Sequence, residues 1–287
     1  MAAPACAAAP RVVEPGAVLC PAMTIADPRE VIALDGVSLV RQDRHLLRDI
    51  TWSVRSDEHW VVLGPNGAGK TLMLQIASLY LAPTRGSVRL LGQKRGDVDV
   101  RDQRRKIGYA GTGPAAMVHQ NLPAIEIVVT GKHAAFVDSR WHDYDEADWE
   151  RARDRLDRLE AGHLADRPFG TLSAGEKARV MIARSLVTDP SVLLLDEATT
   201  GLDLGARERL MASLADLAVA PRGPAIVLVT HHVEETPLGF DHIVLLAGGR
   251  VVGTGPIGTT LTADTLSATF GVDVRLERRD GRYHAWR

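Results

Sequence analysis

The chain has 287 residues, enough for one large domain or two small ones. Hydrophobic residues make up 45% and charged residues 24%, an ordinary globular balance, and a net charge of −2 exerts no global pull toward nucleic acid or anionic membrane. No apolar run approaches the roughly 18 residues a membrane helix needs. The two cysteines, Cys6 and Cys20, indicate no disulfide framework, so a reducing compartment is the default.

Residues 1–28 are rich in Ala and Pro and read as a disordered extension. Pro4, Pro10, Pro15 and Pro21 interrupt any secretory core segment, and Met23 is a second candidate start. Strand signals follow. Val31-Ile32-Ala33-Leu34 and Val37-Ser38-Leu39-Val40 flank Asp35-Gly36, a hairpin-type turn pair. Residues 46–54 give another strand, and Ser56-Asp57-Glu58 a polar turn before the apolar run Val61-Val62-Leu63. A helical pattern then carries Leu72, Ile76 and Leu79 with Met73, Ala77 and Tyr80. A turn at 82–86 leads into a strand at 87–92. The first third is thus mostly antiparallel β around one parallel strand and one helix.

Ile107-Gly108-Tyr109-Ala110 reads as a short strand, and Gly111-Thr112-Gly113-Pro114 breaks the pattern. Residues 115–169 read as largely helical. Their charged part, 138–160, with Asp154 and Arg158 at helical spacing, reads as a solvated face. A helix carries Val180, Ile182, Ala183, Leu186 and Val187 and stops at Asp189-Pro190. Val192-Leu193-Leu194-Leu195 is a fully apolar strand ending in Asp196-Glu197; a helix follows over 207–218. A second such strand, 225–230, ends in His231-His232. Ile243-Val244-Leu245-Leu246 and Arg250-Val251-Val252 flank Gly248-Gly249 as a hairpin, and 260–287 holds a short helix and a strand near 272–276. Uninterrupted apolar strands alternating with helices argue for an α/β fold with a parallel sheet covered on both faces.

Gly64-Pro65-Asn66-Gly67-Ala68-Gly69-Lys70-Thr71 fits G-x-x-x-x-G-K-[ST] at every fixed position, between a strand and a helix. Such a loop aims backbone N–H groups and a helix N-terminus at one point, which suits phosphate. Lys70 is placed to reach the β- and γ-phosphates and Thr71 to sit on Mg²⁺. The chain is therefore expected to bind a nucleoside triphosphate. Asp196 emerges from a central strand, where a carboxylate holds Mg²⁺ in phosphate-loop enzymes. Glu197, one residue on, is placed to take a proton from the attacking water. His231 ends another strand and is the candidate for a contact with the γ-phosphate, with His232 beside it. Ser173-Ala174-Gly175-Glu176 has two readings, a capping box S-x-x-E and an anion-binding helix start.

Taken together these residues resemble the nucleotide-binding subunit of ABC transporters. Leu172-Ser173-Ala174-Gly175-Glu176 looks like the LSGGQ signature, residues 192–197 like Walker B, Thr200-Gly201-Leu202-Asp203 like the D-loop, and His231 like the switch histidine. The resemblance covers about residues 31–256. It implies a RecA-like core with an antiparallel β subdomain and an inserted helical subdomain at about 113–171. The domain bounds expected are 29–260, with a tail at 261–287. It implies ATP with Mg²⁺ as cofactors and closure of two subunits head to tail. Gly64 to Thr71 of one subunit would then hold ATP against Ser173 and Gly175 of the other, with Asp203 beside them. It also implies membrane permease subunits as partners, no nucleic acid, and a cytoplasmic, peripheral location on the inner face of the membrane.

The chain departs from the family pattern in three places. Thr112 stands near where the family has a glutamine, with Gln120 as a candidate substitute; Ala174 and Glu176 replace Gly and Gln; and Arg41, Arg44 and His45 stand where an adenine-stacking aromatic is expected. The segment 122–131 looks like the part that faces the membrane subunits in importers of metal chelates and molybdate. The reading is therefore an ATPase subunit powering a separate permease, an importer. The alternative is a soluble ABC-type ATPase or nucleotide switch. A kinase or GTPase would leave residues 172–176 unexplained and would need an N-K-x-D-like motif that is absent.

Overall fold

The computed structural model describes residues 29–134, 142–221 and 223–287. The expected extension, both cysteines and the start of the charged 138–160 stretch lie outside the described residues.

Strands β1 (Glu30–Arg41) and β2 (Arg44–Arg55) form an antiparallel hairpin. Its turn is Gln42-Asp43, both at positive φ (47° and 58°), the geometry of a two-residue hairpin loop. The Asp35-Gly36 pair is not a turn. It lies inside β1 as a bulge, where the register slips between Leu34 and Val37. The reason is packing: Leu34 and Val37 are both buried in one core, and Gly36 at φ 58° absorbs the irregularity without breaking the strand.

Next come β3 (His59–Leu63), helix α1 (Lys70–Ala77), β4 (Arg85–Leu90), β5 (Gln93–Lys94), α2 (Val100–Arg104) and β6 (Ile107–Gly111). Helix α3 (Thr112–Met117) follows directly, so Gly113 and Pro114 sit in its first turn, where proline costs no hydrogen bond. Then come α4 (Ala124–Val129), α5 (Glu146–Arg158), α6 (Ala174–Leu186), β7 (Val192–Asp196), α7 (Leu204–Val219) and β8 (Ala225–Thr230). The chain continues with β9 (His242–Ala247), β10 (Arg250–Pro256), α8 (Ile257–Thr260), α9 (Ala263–Phe270), β11 (Arg275–Arg279) and β12 (Arg282–Trp286).

The central sheet has the order β10-β9-β3-β8-β7-β6, parallel from β9 to β6, with β10 antiparallel at one edge. A second, antiparallel sheet has the order β2-β1-β4-β5. Side chains of the central strands alternate between two cores. Val61, Leu63, Leu193, Leu195, Ile226 and Leu228 face the helical layer. Val62, Val192, Leu194, Val227, Val229 and Val244 face α1 and the antiparallel sheet. Both faces are covered, as continuous apolar strands require.

The helical layer is α3 to α6. Helix α5 starts on a reciprocal capping box between Asp145 and Asp148. Asp154 and Arg158 pair at 3.0 Å as the spacing predicts, but α5 is not solvated all round. Arg155 is buried, donates to Leu186 O at 3.1 Å and pairs with Asp189 at 2.6 Å, tying α5 to the end of α6. In 122–131, Ala124, Ile125, Ile127, Val128 and Val129 are buried in this layer; the exposed large apolar side chain of helices α3 to α6, among the described residues, is Met117 at the end of α3. The last residues are folded: β11 and β12 form a hairpin around Asp280-Gly281, where the sequence shows one strand. Arg282 pairs with Glu208 of α7 and donates to Glu234 O at 3.0 Å.

Candidate active site

The loop of residues 64–71 leaves β3 at the end of the sheet where β7 and β8 also finish. Two of its glycines are demanded by space. A Cβ on Gly64 would come 2.0 Å from the backbone oxygen of Leu246 on β9, and one on Gly69 (φ 101°) 2.6 Å from Leu47. Gly67 instead needs its left-handed φ of 78°. Asn66 is exposed, while Pro65 is half-buried and Ala68 buried. Lys70, the first residue of α1, is buried and donates from Nζ to Gly64 O at 2.9 Å and Pro65 O at 3.0 Å. Burial lowers its pKa, and the charges of Glu197 and Asp196 push the other way.

Parallel pairing brings the second half of the site alongside. Asp196 ends β7 opposite Gly111 of β6 and Val229 of β8. The Thr71 hydroxyl donates to Asp196 Oδ1 at 3.0 Å, and the Tyr109 hydroxyl to Oδ2 at 3.2 Å. Burial pushes the Asp196 pKa up, against these two hydroxyls. Burial likewise pushes up that of Tyr109, joined by the Asp196 charge, which keeps the phenol a donor. Glu197 turns out of the strand at a left-handed φ of 52°, held by its N–H on Val229 O at 3.2 Å. Such a backbone in a residue other than glycine costs of order 1–3 kcal/mol and concentrates at functional sites. Its carboxylate stands 3.9 Å from Lys70 Nζ.

Lys70, Thr71, Asp196 and Glu197 are thus one cluster. His231 is placed differently. It follows Thr230, which pairs with Leu63 at the root of the loop, but its ring lies tilted against that of His232, 4.0 Å between centroids. It lines a cavity of about 300 Å³ with Phe270 and Trp286, and its buried Nδ1 has no hydrogen-bond partner. Gln120 does not reach Asp196: its amide donates to Val118 O at 3.0 Å and Ala115 O at 3.3 Å.

Tyr109 is the residue the sequence reading missed. Its signal was a hydroxyl-bearing ring in a strand otherwise made of small and aliphatic residues. Glu235 was missed too; it is buried and accepts from Thr199 at 2.7 Å and from Thr230, tying the loop after Glu197 to the loop that carries His231.

Known proteins share this arrangement. The family model described as ABC transporter matches residues 47–200. An ABC transporter ATP-binding protein of Streptococcus mutans is 39% identical over 246 residues, 86% of this chain and 94% of that one. The chain belongs to the ABC transporter family. A second relative, the hemin import ATP-binding protein HmuV of Nocardia farcinica, is 34% identical over 227 residues, 79% of this chain and 76% of that one. The dimeric, post-hydrolysis ATP-binding cassette MJ0796 bound to ADP and Pi superposes with a TM-score of 0.68 at 26% identity, over 79% of this chain and 98% of that one. The cassette is an ATP-binding and ATP-hydrolysing subunit with the RecA-like core, antiparallel β subdomain and helical layer of its family.

The remaining cassette residues lie at helix starts. Ser173 caps α6 and is exposed; its Oγ accepts from Glu176 N at 3.3 Å while Glu176 accepts from Ser173 N at 2.7 Å. The Glu176 charge is met by Arg167 at 3.1 Å, so the departure from glutamine leaves no bare carboxylate. Gly175 is buried against α7, where a Cβ would stand 2.9 Å from that of Ala206. Asp203 caps α7, accepting from Ala206 N at 2.7 Å. Among the described residues, no hydrogen bond or ion pair links Ser173, Gly175 or Asp203 to the cluster around Lys70.

The donor set suits a small hard cation. Thr71 and Asp196 offer oxygens 3.0 Å apart, and no cluster of three or more His, Cys, Asp or Glu competes among the described residues. Magnesium is normally held by one or two protein oxygens, its other positions going to water and phosphate.

Proposed function

We propose that this chain is the ATPase subunit of an importer, working as half of a head-to-tail dimer on a separate membrane permease. One observation carries the reading. Lys70, Thr71, Asp196 and Glu197 form a half-site, while the exposed Ser173 and the buried Gly175 at the start of α6 have, among the described residues, no hydrogen bond or ion pair to it. A second subunit supplies the missing wall. In this reading residues 64–71 wrap the triphosphate, Lys70 holds its β- and γ-phosphates, Thr71 and Asp196 hold Mg²⁺, and Asp203 lies beside the closing subunit. When bound, Mg²⁺ supplies charge neutralisation at the phosphates. Glu197 accepts the proton of the attacking water, and His231 swings toward the γ-phosphate on closure.

The catalytic domain spans 29–260, with the helical subdomain at about 113–171 and a tail at 261–287. No helix among the described residues is long and apolar enough to cross a membrane. In this reading the chain meets the bilayer through the permease, at the cytoplasmic face. A groove of about 460 Å³ between α3 and α6 is lined by Ala115, Phe169, Ala178 and Met181 and also by Lys177 and Glu197, so it joins the helical layer to the catalytic cluster. Import, and a metal chelate as cargo, follow the hemin relative.

The test is a pull-down of the tagged full chain from detergent-solubilised membranes, with hydrolysis measured on the complex. Recovery of an integral membrane protein that stimulates ATP hydrolysis supports the reading. Recovery of ribosomes or other soluble assemblies in its place overturns it in favour of an off-membrane switch.

A further inference from the structure

Asp196 is held from two sides. Its Oδ1 takes the Thr71 hydroxyl at 3.0 Å and its Oδ2 the Tyr109 hydroxyl at 3.2 Å. The Gln75 side chain shares the cavity lined by Tyr109, where it acts to lower the phenol's pKa against burial and the Asp196 charge. Gln75 lies four residues beyond Thr71 on α1, so both occupy one face of that helix, turned toward β6 and β7. Strand register completes the arrangement. Tyr109 pairs with Leu194 and Gly111 with Asp196, which puts the tyrosine ring two positions short of the carboxylate on the same face of the sheet. The ring is clamped from outside: Tyr80 lies 5.5 Å away, centroid to centroid, and the Arg104 guanidinium sits 4.3 Å over Tyr80. Thr71, Gln75, Tyr109, Asp196 and Glu197 line one cavity of about 260 Å³.

We propose that Gln75 and Tyr109 form a relay that positions the Asp196 carboxylate for Mg²⁺, Tyr109 being the positioning residue in contact with it. A carboxylate rotates about its Cβ–Cγ bond unless both oxygens are engaged. Thr71 engages one oxygen, but its hydroxyl is also a metal ligand and must reorient when the cation binds. Tyr109 engages the other oxygen and is free of that duty. It is also neutral, so it orients the carboxylate without placing a second positive charge against the cation. Gln75, on the same face of α1 as Thr71 and in the same cavity as the phenol, is placed to take the phenol oxygen and leave its proton for Asp196. Gln120 lies outside this network, its amide donating to Val118 O and Ala115 O, so orientation at the metal comes from α1 and β6. The inference rests on the Mg²⁺ role of Thr71 and Asp196.

The experiment measures Mn²⁺ binding by electron paramagnetic resonance to the full chain with ATP, in a Glu197→Gln background to prevent turnover. ATP affinity in EDTA is measured alongside. Tyr109→Phe keeps the ring and removes the hydroxyl. It is expected to weaken Mn²⁺ binding about tenfold, as loss of a partner to a metal ligand does, while ATP affinity in EDTA stays at the parent value. Gln75→Leu is expected to weaken Mn²⁺ in the same direction and by less. The double variant should be no weaker than Tyr109→Phe alone, since the two act in series. Unchanged Mn²⁺ affinity in Tyr109→Phe overturns the proposal. An equal loss of ATP affinity in EDTA also overturns it, because that marks a structural role. Fully additive effects overturn the relay. If the parent protein binds no Mn²⁺ with ATP, the metal reading itself fails, and that outcome is distinct from the others.

Discussion

Replacing Glu197 by Gln keeps the size of the side chain and removes its charge and basicity. The structural cost is small. Its cation is Lys70 at 3.9 Å, a separation at which Coulomb's law gives ~4 kcal/mol for an effective dielectric constant of about 20. The Glu197 side chain is 30% exposed, which brings the net value of the pair down toward the ~1 kcal/mol typical of solvated pairs. The chemical cost is larger. Losing a general base slows a reaction by about 10²–10⁴-fold, or about 3–5 kcal/mol of barrier. The two magnitudes separate the roles. The Glu197→Gln protein should melt within a few degrees of wild type, bind ATP at least as tightly, and release phosphate about 10²–10⁴ times more slowly. Single-turnover phosphate release and titration with a fluorescent ATP analogue read the two quantities independently. Phosphate release within threefold of wild type would falsify the assignment of Glu197 as base. A drop in binding as large as the drop in rate would show that the residue holds the site together and performs no proton transfer.

Gly64→Ala should lower the melting temperature by several degrees and weaken ATP binding, because the added Cβ meets the Leu246 backbone oxygen at 2.0 Å and overpacking of this kind costs about 1–3 kcal/mol or more; calorimetry checks it, and an unshifted melt contradicts the close approach of β3 and β9. The Glu176 carboxyl is held below its ordinary value, first by the Ser173 N–H and also by Arg167, against an opposing effect of burial. A depressed folded-state pKa gives stabilisation that is present above the ordinary value of 4.5 and lost as pH falls through the folded one. Glu176→Gln keeps a capping acceptor and removes the charge; it should therefore cost about 1 kcal/mol at pH 7 and progressively less below 4.5, and a pH-independent difference in melting refutes the contribution of the charge. Hydrolysis per subunit should fall on dilution below the dimer constant, and a rate constant per subunit at all concentrations argues against a site shared between two chains.

The site was legible where chemistry and local sequence coincide. Residues 64–71 announce themselves because glycines, Lys70 and Thr71 must be contiguous to wrap a phosphate. Asp196 and Glu197 do so because four aliphatic residues fix where the strand ends. Tyr109 and Gln75 were not legible as site residues, since their role depends on β6 lying beside β7 and on α1 crossing that pair, and neither neighbour is written into the local sequence. Asp35-Gly36 misled for the opposite reason. Its turn propensity is real, but pairing of both flanks with β2, and pairing on both sides of the bulge with β4, overrides it. Arg155 looked like surface charge because spacing along a helix does not reveal that Leu186 and Asp189 will close over it.

The alternation of the central strands between two cores gives the sheet a parity. Leu193 and Leu195 belong to one core, Val192 and Leu194 to the other, and Asp196 inherits its direction from the count. Swapping one aliphatic residue for another within β7 preserves that count. Deleting one does not: every remaining side chain on one side of the gap changes core, and the carboxylate turns away from Thr71. Deleting two restores the parity but draws Asp196 back by about 6–7 Å. The strand is in this sense a ruler as well as a wall, and the position of the Asp196 carboxylate is set by how many residues precede it more than by which ones they are.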